Sequence, residues 1–207
     1  MSNEEPPQST VPVLTTHRLE ALVDGIFGFA MTLLAVNLTI PRGAEPSELG
    51  KILLGQLNGF YAYAISFLLL ASFWLAHYRQ FQHIKRTDGK HIWINILLLL
   101  FVVLMPFSTS LQANYSNTIS DIFFGGNLMA LGILLLANWV YATGGYRLVE
   151  QELDQSLIKI GLRRMIVTPV VTAVAMAVSV FYPHQSSIIY LLILFVIVTP
   201  PFRYRHR

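Results

Sequence analysis

Charged residues divide the chain into long apolar stretches separated by short polar segments. No Asp, Glu, Lys or Arg occurs in residues 52–78, 91–120, 122–146 or 165–202. A helix that crosses about 30 Å of hydrocarbon needs about 20 apolar residues, so each of the first three stretches can supply one such helix. The fourth, interrupted by a Pro-His pair, can supply two. With a more polar segment near the amino terminus, the pattern predicts six spanning helices: Leu22–Ile40, Leu57–Ala76, Ile92–Leu111, Ile122–Tyr146, Met165–Tyr182 and Ser187–Thr199.

The composition supports an all-α, polytopic membrane protein. The chain is 54% hydrophobic and only 12% charged, whereas a soluble domain averages about 25% charged residues. It contains no cysteine, which excludes disulfides and thiolate metal sites. Although the net charge is +3, the basic residues lie in short loops beside the spans. We therefore expect the protein to lie in a lipid bilayer and not to bind nucleic acid.

The basic residues also predict the orientation. Only Arg42 and Lys51 fall on one side of the predicted membrane. Cytoplasmic loops carry an excess of Lys and Arg, so we expect both termini in the cytoplasm of a multi-pass cell-membrane protein. The predicted organisation is a disordered cytoplasmic tail over residues 1–16, a six-helix transmembrane domain over 17–203 and a basic tail over 204–207. The other twelve basic residues lie on the cytoplasmic side: Arg18, Arg79, Lys85, Arg86, Lys90, Arg147, Lys159, Arg163, Arg164, Arg203, Arg205 and Arg207.

The polar segment 147–164 keeps apolar residues at helical spacing, at Val149, Leu153 and Leu157. This stripe predicts that the segment extends the fourth helix into the cytoplasm or lies along the membrane interface. A solvated connector is the alternative.

The first predicted helix differs from the other five because it contains Asp24, Thr32 and Asn37. An ionisable residue within a span is costly and normally faces protein or water, so we expect this helix to lie centrally, shielded by the others. Phe29, either Thr32 or Leu33, and Val36 share one helical stripe. These side chains either line a conduit with an apolar constriction or are simply packed core.

The same helix contains the pattern Arg-x-x-x-Leu-Val-Asp-Gly-x-Phe from Arg18 to Phe27. It resembles the Arg-x-x-x-Phe-Ser-Asp signature of the transmembrane protein 175 family, the potassium channels of endosomes and lysosomes and their bacterial relatives. Leu22 and Val23 stand where the signature has Phe and Ser. The second and third helices are similar as well, through Phe60, Tyr63, Ser66, Phe67, Trp74, His77, Asn95 and the run Met105–Thr109.

The resemblance implies a potassium-permeable cation channel without a carbonyl-type selectivity filter. It implies a homotetramer, since this chain has one six-helix unit and bacterial members look like tetramers of such units. The first helices would line the pore, with Phe29 at the constriction, Thr32 as a polar layer that favours potassium, and Leu33 and Val36 beyond it. No cofactor or metal is expected, and K⁺ is the permeant ion.

The resemblance further implies that Arg18, Asp24, Trp74, His77 and Asn95 form a hydrogen-bonded network that holds the pore helix. Arg18 and Asp24 are too far apart in sequence to pair on one helix, so each requires a partner on another helix. Other readings stay open: Arg18 as an interfacial anchor, Trp74 as an aromatic-belt residue and His77 as an ordinary interfacial histidine.

The sequence also bears on functions other than a channel. No metalloprotease, phosphate-loop or nucleophile-elbow motif occurs, so we expect no enzyme. A secondary transporter is the main alternative to a channel, but transporters usually show repeated halves with broken helices at the midplane, and no such repeat is visible. A membrane scaffold protein is the third possibility, and it would leave Asp24 and Thr32 without a role in conduction.

Overall fold

The computed structural model describes residues 16–39, 45–115, 117–181 and 189–198, and within these residues the fold consists of helices joined by short loops, with an isolated β-bridge between two of the loops. A 3₁₀ turn at Pro46–Glu48 precedes α2, and another at Gly144–Tyr146 follows α5. The α-helices in chain order are α1 Thr16–Val36, α2 Leu49–Gly55, α3 Leu57–Phe81, α4 Gly89–Asn114, α5 Thr118–Thr143, α6 Gln155–Phe181 and α7 Leu191–Val198.

Five of these helices, α1, α3, α4, α5 and α6, are long and apolar enough to cross a membrane. The all-α membrane class is therefore confirmed. The sixth predicted span coincides with α7, but both ends of that prediction lie outside the described residues, so the count of six stays a prediction. The tails predicted at 1–16 and 204–207 also lie outside them, except for Thr16, with which α1 begins.

Two of the spanning helices begin with side-chain caps for their unpaired backbone N–H groups. Asp88 accepts a hydrogen bond from the backbone N–H of His91 at 2.9 Å and so caps α4. Asn117 and Ser120 form a reciprocal capping box at the start of α5. Such caps satisfy donors that have no partner within the helix, and they fix where two of the spans begin.

The segment 147–164 does not extend the fourth span, as one reading of its apolar stripe predicted. Helix α5 ends at Thr143, and Gly145 then takes a left-handed conformation with φ of 61°, which glycine adopts without a steric penalty. The chain turns away there. Its helical part joins the fifth span instead, because α6 begins at Gln155, where the Asp154 carboxylate accepts from the backbone N–H of Ser156 at 2.8 Å.

The largest apolar core lies among α1, α3, α4, α5 and the α7 region, and α6 packs against α5. Within one subunit α1 is not central, contrary to the sequence-based expectation. It packs on α3 and α4, and 28% of its span is buried against 50% for α5. One face of α1 is left exposed inside the subunit, so any shielding of that face must come from outside the subunit.

A second apolar cluster gathers the loops at one end of the bundle. The α3–α4 loop pairs with the α5–α6 loop through a β-bridge between Ile84 and Val149. Leu19, from the first turns of α1, belongs to the same cluster. The first turns of α1 and the two basic loops therefore share one end of the molecule.

Candidate functional site

Helix α1 has two faces of opposite character. The face toward α3 and α4 is apolar and buried, and it consists of Leu19, Val23, Phe27, Ala30 and Leu34. Val23, which stands where the family signature has serine, is fully buried there. The other face is exposed in the subunit and includes Leu22, Gly25, Phe29, Thr32 and Val36. These five residues, spaced three and four apart, form one stripe along the helix, which we call the open face.

Three of the four predicted pore residues lie on the open face. Phe29 is 60% exposed, Val36 is 65% exposed, and Thr32 is exposed between them. Leu33 is half-buried at the edge of the stripe. Within the subunit Phe29, Thr32 and Val36 are thus not packed core, and a large aromatic ring projects from α1 without an apolar neighbour to cover most of it.

The Thr32 hydroxyl is oriented by its own helix. It donates a hydrogen bond to the carbonyl of Phe29 at 2.7 Å. Because the hydroxyl proton is used in that bond, the lone pairs of its oxygen are left to accept from water or to contact a cation. The open face therefore presents an apolar ring, a hydroxyl oxygen and a second apolar side chain in sequence along the helix.

Asp24 and Trp74 pair directly and join α1 to α3. The indole Nε1–H of Trp74 donates to the Asp24 carboxylate at 2.7 Å. The Trp74 ring also stacks on Tyr78, with centroids 5.8 Å apart. Helix α1 is fastened at its other end as well, since Asn37 Nδ2 donates to the carbonyl of Pro106 in α4 at 2.9 Å. Two polar contacts about three and a half turns apart thus hold α1 on its neighbours.

His77 and Asn95 pair as well, and they begin a longer chain of buried side chains. Asn95 Nδ2 donates to the His91 carbonyl and to Asn138 Oδ1, at 2.8 and 3.0 Å, so its Oδ1 accepts from His77 Nε2 at 2.8 Å. The chain continues beyond Asn138, whose Nδ2 donates to Gln80 Oε1 at 2.6 Å. Gln80 then donates to the Leu135 carbonyl.

We call the four side chains His77, Gln80, Asn95 and Asn138 the amide chain. All four are at least 97% buried, and they come from α3, α4 and α5. An unpaired amide in hydrocarbon is costly. The hydrogen bonds of the amide chain therefore fix how α3, α4 and α5 are aligned along one another.

The structure does not gather the five predicted network residues into one cluster. Asp24 with Trp74, and His77 with Asn95, are two separate pairs, and no hydrogen bond in the described part of the chain joins them. Arg18 is exposed at the first turn of α1, and no described residue of either pair hydrogen-bonds to it. Six residues separate Arg18 from Asp24, so the two side chains lie almost two turns apart along the helix axis.

Sequence reasoning missed Gln80 and Asn138. The sequence does contain a signal for them. Asn127 and Asn138 are amides within a charge-free span, and Gln80 follows His77 by three residues on one helical face. A polar amide within a span requires a partner on another helix. Because Gln80 and Asn138 are uncharged, the pattern of charged residues gives no sign of them.

At the end of the bundle that carries the basic loops, Asp88 is held by several donors. Burial raises the pKa of the Asp88 carboxyl, but the backbone N–H of His91 and the Tyr141 hydroxyl, which donates at 2.8 Å, lower the pKa by more, so that it lies below the usual range. The Arg147 guanidinium lies over the Tyr141 ring, 4.4 Å from its centroid. These contacts tie the start of α4 to the end of α5.

Comparison with known proteins identifies the family. A potassium channel of Chamaesiphon minutus is 31% identical over 158 residues, which cover 73% of this chain and 75% of that protein. The chain belongs to the TMEM175 family. The family model described as "Endosomal/lysosomal potassium channel TMEM175" matches residues 18–106, the part of the chain that contains α1, α3 and most of α4.

One solved structure and one further relative agree with this assignment. The crystal structure of a lysosomal potassium-selective channel TMEM175 homolog from Chamaesiphon minutus superposes with a TM-score of 0.78 at 26% identity, covering 88% of this chain and 95% of that chain. The endosomal/lysosomal proton channel TMEM175 of Danio rerio is 26% identical over 144 residues, which are 69% of this chain but 28% of that protein. The family is one of ion channels, so the expectation that this protein is not an enzyme is confirmed.

Proposed function

We propose that this protein is one subunit of a homotetrameric, potassium-permeable cation channel whose pore is lined by the open face of α1. The observation that carries the proposal is the exposure of Phe29, Thr32 and Val36 on a helix whose opposite face is fully packed. This face also carries the hydroxyl oxygen of Thr32. Four copies of the face around an axis would enclose a conduit with a polar ring between two apolar rings.

A contact with lipid is a poor alternative for α1. Asp24 is exposed beside the open face, and an ionisable residue within a span is costly when it faces lipid. Protein from neighbouring subunits or water in a pore removes that cost. The relatives named potassium channels support ion conduction as the function of this chain.

In the proposed pore Phe29 forms the apolar constriction, and Val36 forms a second apolar ring with Leu33 at its edge. Rings of apolar side chains can gate by expelling water. Thr32 provides the hydroxyl oxygens between them, and no carbonyl-type filter is required. K⁺ is the permeant ion, and we propose that conduction needs no cofactor.

We further propose that both termini are cytoplasmic and that the channel lies in the cell membrane. The first turns of α1 and the loops that carry Lys85, Arg86 and Arg147 share one end of the bundle. A concentration of basic residues at one end is the usual mark of the cytoplasmic side. Attaching a reporter enzyme that is active only in the cytoplasm to either terminus tests this orientation.

The test of conduction is current through the purified protein in a planar bilayer, with potassium on one side and sodium on the other. A discrete, non-saturating current that reverses toward the potassium equilibrium potential supports the channel. A saturable, coupled flux would show a secondary transporter, and silence from verified tetramers would indicate a scaffold.

Proton conduction is the second candidate, because the Danio rerio relative is named a proton channel. The same bilayers under a pH gradient and symmetrical potassium distinguish the two ions. A reversal potential that follows the proton gradient would replace potassium as the principal permeant ion.

Phe29→Ala tests the constriction. Removing the ring should widen the narrowest point and raise single-channel conductance, whereas Phe181→Ala, the same change at a residue on α6 that is 77% exposed, should not. Equal conductance in assembled Phe29→Ala and unmodified channels would exclude Phe29 as the constriction.

A further inference from the structure

A cavity of about 340 Å³ opens between α3 and α6, with α5 as its back wall. Its lining includes Ala76, Arg79 and His83 from α3 and the following loop, and Arg164 and Met165 from α6. None of the proposed pore residues lines it. The cavity is therefore a separate feature of the subunit, and the conduction proposal gives it no role.

Close packing of α6 on α5 leaves this space open. A Cβ at Gly161 would lie 2.7 Å from Nε1 of Trp139, and one at Gly132 would lie 2.8 Å from Cγ2 of Thr168. These two glycines let α6 approach α5 closely while α3 stays apart. Where α3 and α6 do meet, Gln80 Nε2 lies 3.0 Å from Met165 Sδ, and both residues line the cavity.

The cavity spans the boundary between the hydrocarbon and the headgroup region. Arg79 is the first charged residue after the charge-free stretch 52–78, and Arg164 is the last one before the charge-free stretch 165–202. Both arginines therefore mark the same membrane level. On the hydrocarbon side the walls are apolar, with Ala76, Leu135 and Met165 among them.

The charged side chains that line the cavity, Arg79 and Arg164, are both basic. Two guanidinium groups around one space favour an anion between them. His83 adds no charge at neutral pH, because burial lowers its pKa and the positive charge of Lys85 lowers the pKa further. No Asp or Glu is among the residues that line the cavity.

We propose that this cavity binds the phosphate headgroup of an anionic phospholipid. Arg79 and Arg164 contact the phosphate oxygens, and the glycerol and upper acyl chain lie against the apolar walls. A basic pocket between spanning helices at the headgroup level suits such a ligand. A soluble phosphate shares the headgroup chemistry but would leave the apolar part of the cavity unfilled, so the lipid is the better match.

Native mass spectrometry of the purified protein, with phosphatidylglycerol or phosphatidylcholine added at equal concentrations, tests the site. The unmodified protein should retain phosphatidylglycerol in preference. Arg79→Gln and Arg164→Gln should each reduce its binding about tenfold, as expected for the loss of one charge-assisted contact. Arg163→Gln is the matched control, because Arg163 is exposed on the same turn of α6 and lies outside the cavity lining.

Three results would overturn the proposal. The first is an equal loss in Arg163→Gln, which would show general surface charge. The second is equal retention of phosphatidylcholine. The third is displacement of the lipid by glycerol phosphate at the same concentration, which would make a soluble phosphate the ligand. If a glutamine variant fails to fold, Arg164→Lys replaces it: retention of the lipid supports the site, and loss to the level of phosphatidylcholine counts against it.

Discussion

The bond between Trp74 and Asp24 gives the sharpest test of how α1 is held. Trp74→Phe removes the only hydrogen-bond donor of the indole and keeps an aromatic ring that can stack on Tyr78. The Asp24 carboxylate then loses the donor that lies 2.7 Å from it. We expect α1 to be held less firmly on α3, and the folded protein to be less stable.

The magnitude follows from the nature of the bond. A hydrogen bond to a charged group contributes about 1.5–3 kcal/mol. Asp24 is exposed in the single subunit, where water competes, so the lower value applies to a subunit alone and corresponds to roughly a tenfold change in the unfolding equilibrium. The upper value applies if neighbouring subunits cover this side of α1, because burial strengthens the bond.

The assay is the free energy of unfolding in mixed micelles for a double-mutant cycle of Trp74→Phe and Asp24→Leu. Trp93→Phe is the matched control, since Trp93 is 65% exposed on α4, and the same substitution there should change stability little. A coupling energy of about 1.5 kcal/mol or more supports the bond. Additive effects to within about 0.5 kcal/mol, or an equal loss in Trp93→Phe, would refute it.

Three further predictions concern the helices that support α1. Asn138→Ala leaves Gln80 Oε1 without its donor and should lower the free energy of unfolding by about 1–3 kcal/mol. Asn114→Ala is the control and should lower it much less, because Asn114 is exposed and its hydrogen bonds stay within its own helix. Equal losses in the two variants would show that the amide chain does not stabilise the protein more than an exposed amide does. Gly132→Ala should destabilise the protein by about 1–3 kcal/mol through overpacking. Gly126→Ala should not, because no atom lies within 4 Å of the new Cβ. Thermal unfolding of the two variants tests this difference, and equal stability of both would contradict it. The pKa of the Asp88 carboxyl is lower in the folded protein. The ionised Asp88 carboxylate therefore stabilises the fold at pH values above the ordinary carboxyl pKa, and this stabilisation is lost as the pH falls through the pKa of the folded protein. Asp88→Asn, which keeps the capping oxygen, should flatten this acid dependence in an unfolding series across pH, and an unchanged slope would contradict it.

The sequence alone determined the membrane class, the positions of five spans and the family. Charge-free stretches of about 20 residues in a protein of this composition form membrane-spanning helices. Each stretch can be identified from its own residues, without knowledge of the tertiary structure. The sequence also identified Asp24, Trp74, His77 and Asn95 as polar residues that require partners, since an unpaired polar group in hydrocarbon is costly wherever it lies.

Only the tertiary structure decided which partners these residues take. Helical periodicity predicts that Phe29, Thr32 and Val36 share a face, but whether that face is packed depends on where α3 and α4 lie. The same holds for Asn138 and Gln80, which are 58 residues apart in sequence and meet because α3 and α5 pass each other. Arg18 is a different case: it is exposed at the first turn of α1, no described residue of either pair hydrogen-bonds to it, and its role in the network stays a prediction.

The start of α6 also depended on the fold. Val149, Leu153 and Leu157 have helical spacing, yet Val149 pairs with Ile84 in a loop bridge, and the helix begins only after Asp154. A repeat of apolar residues does not distinguish one long helix from a loop followed by a helix. The left-handed turn at Gly145 ends one helix, and the hydrogen bond to Asp154 starts the next. Backbone conformation and hydrogen bonding at a few residues therefore determine where the helices end and begin.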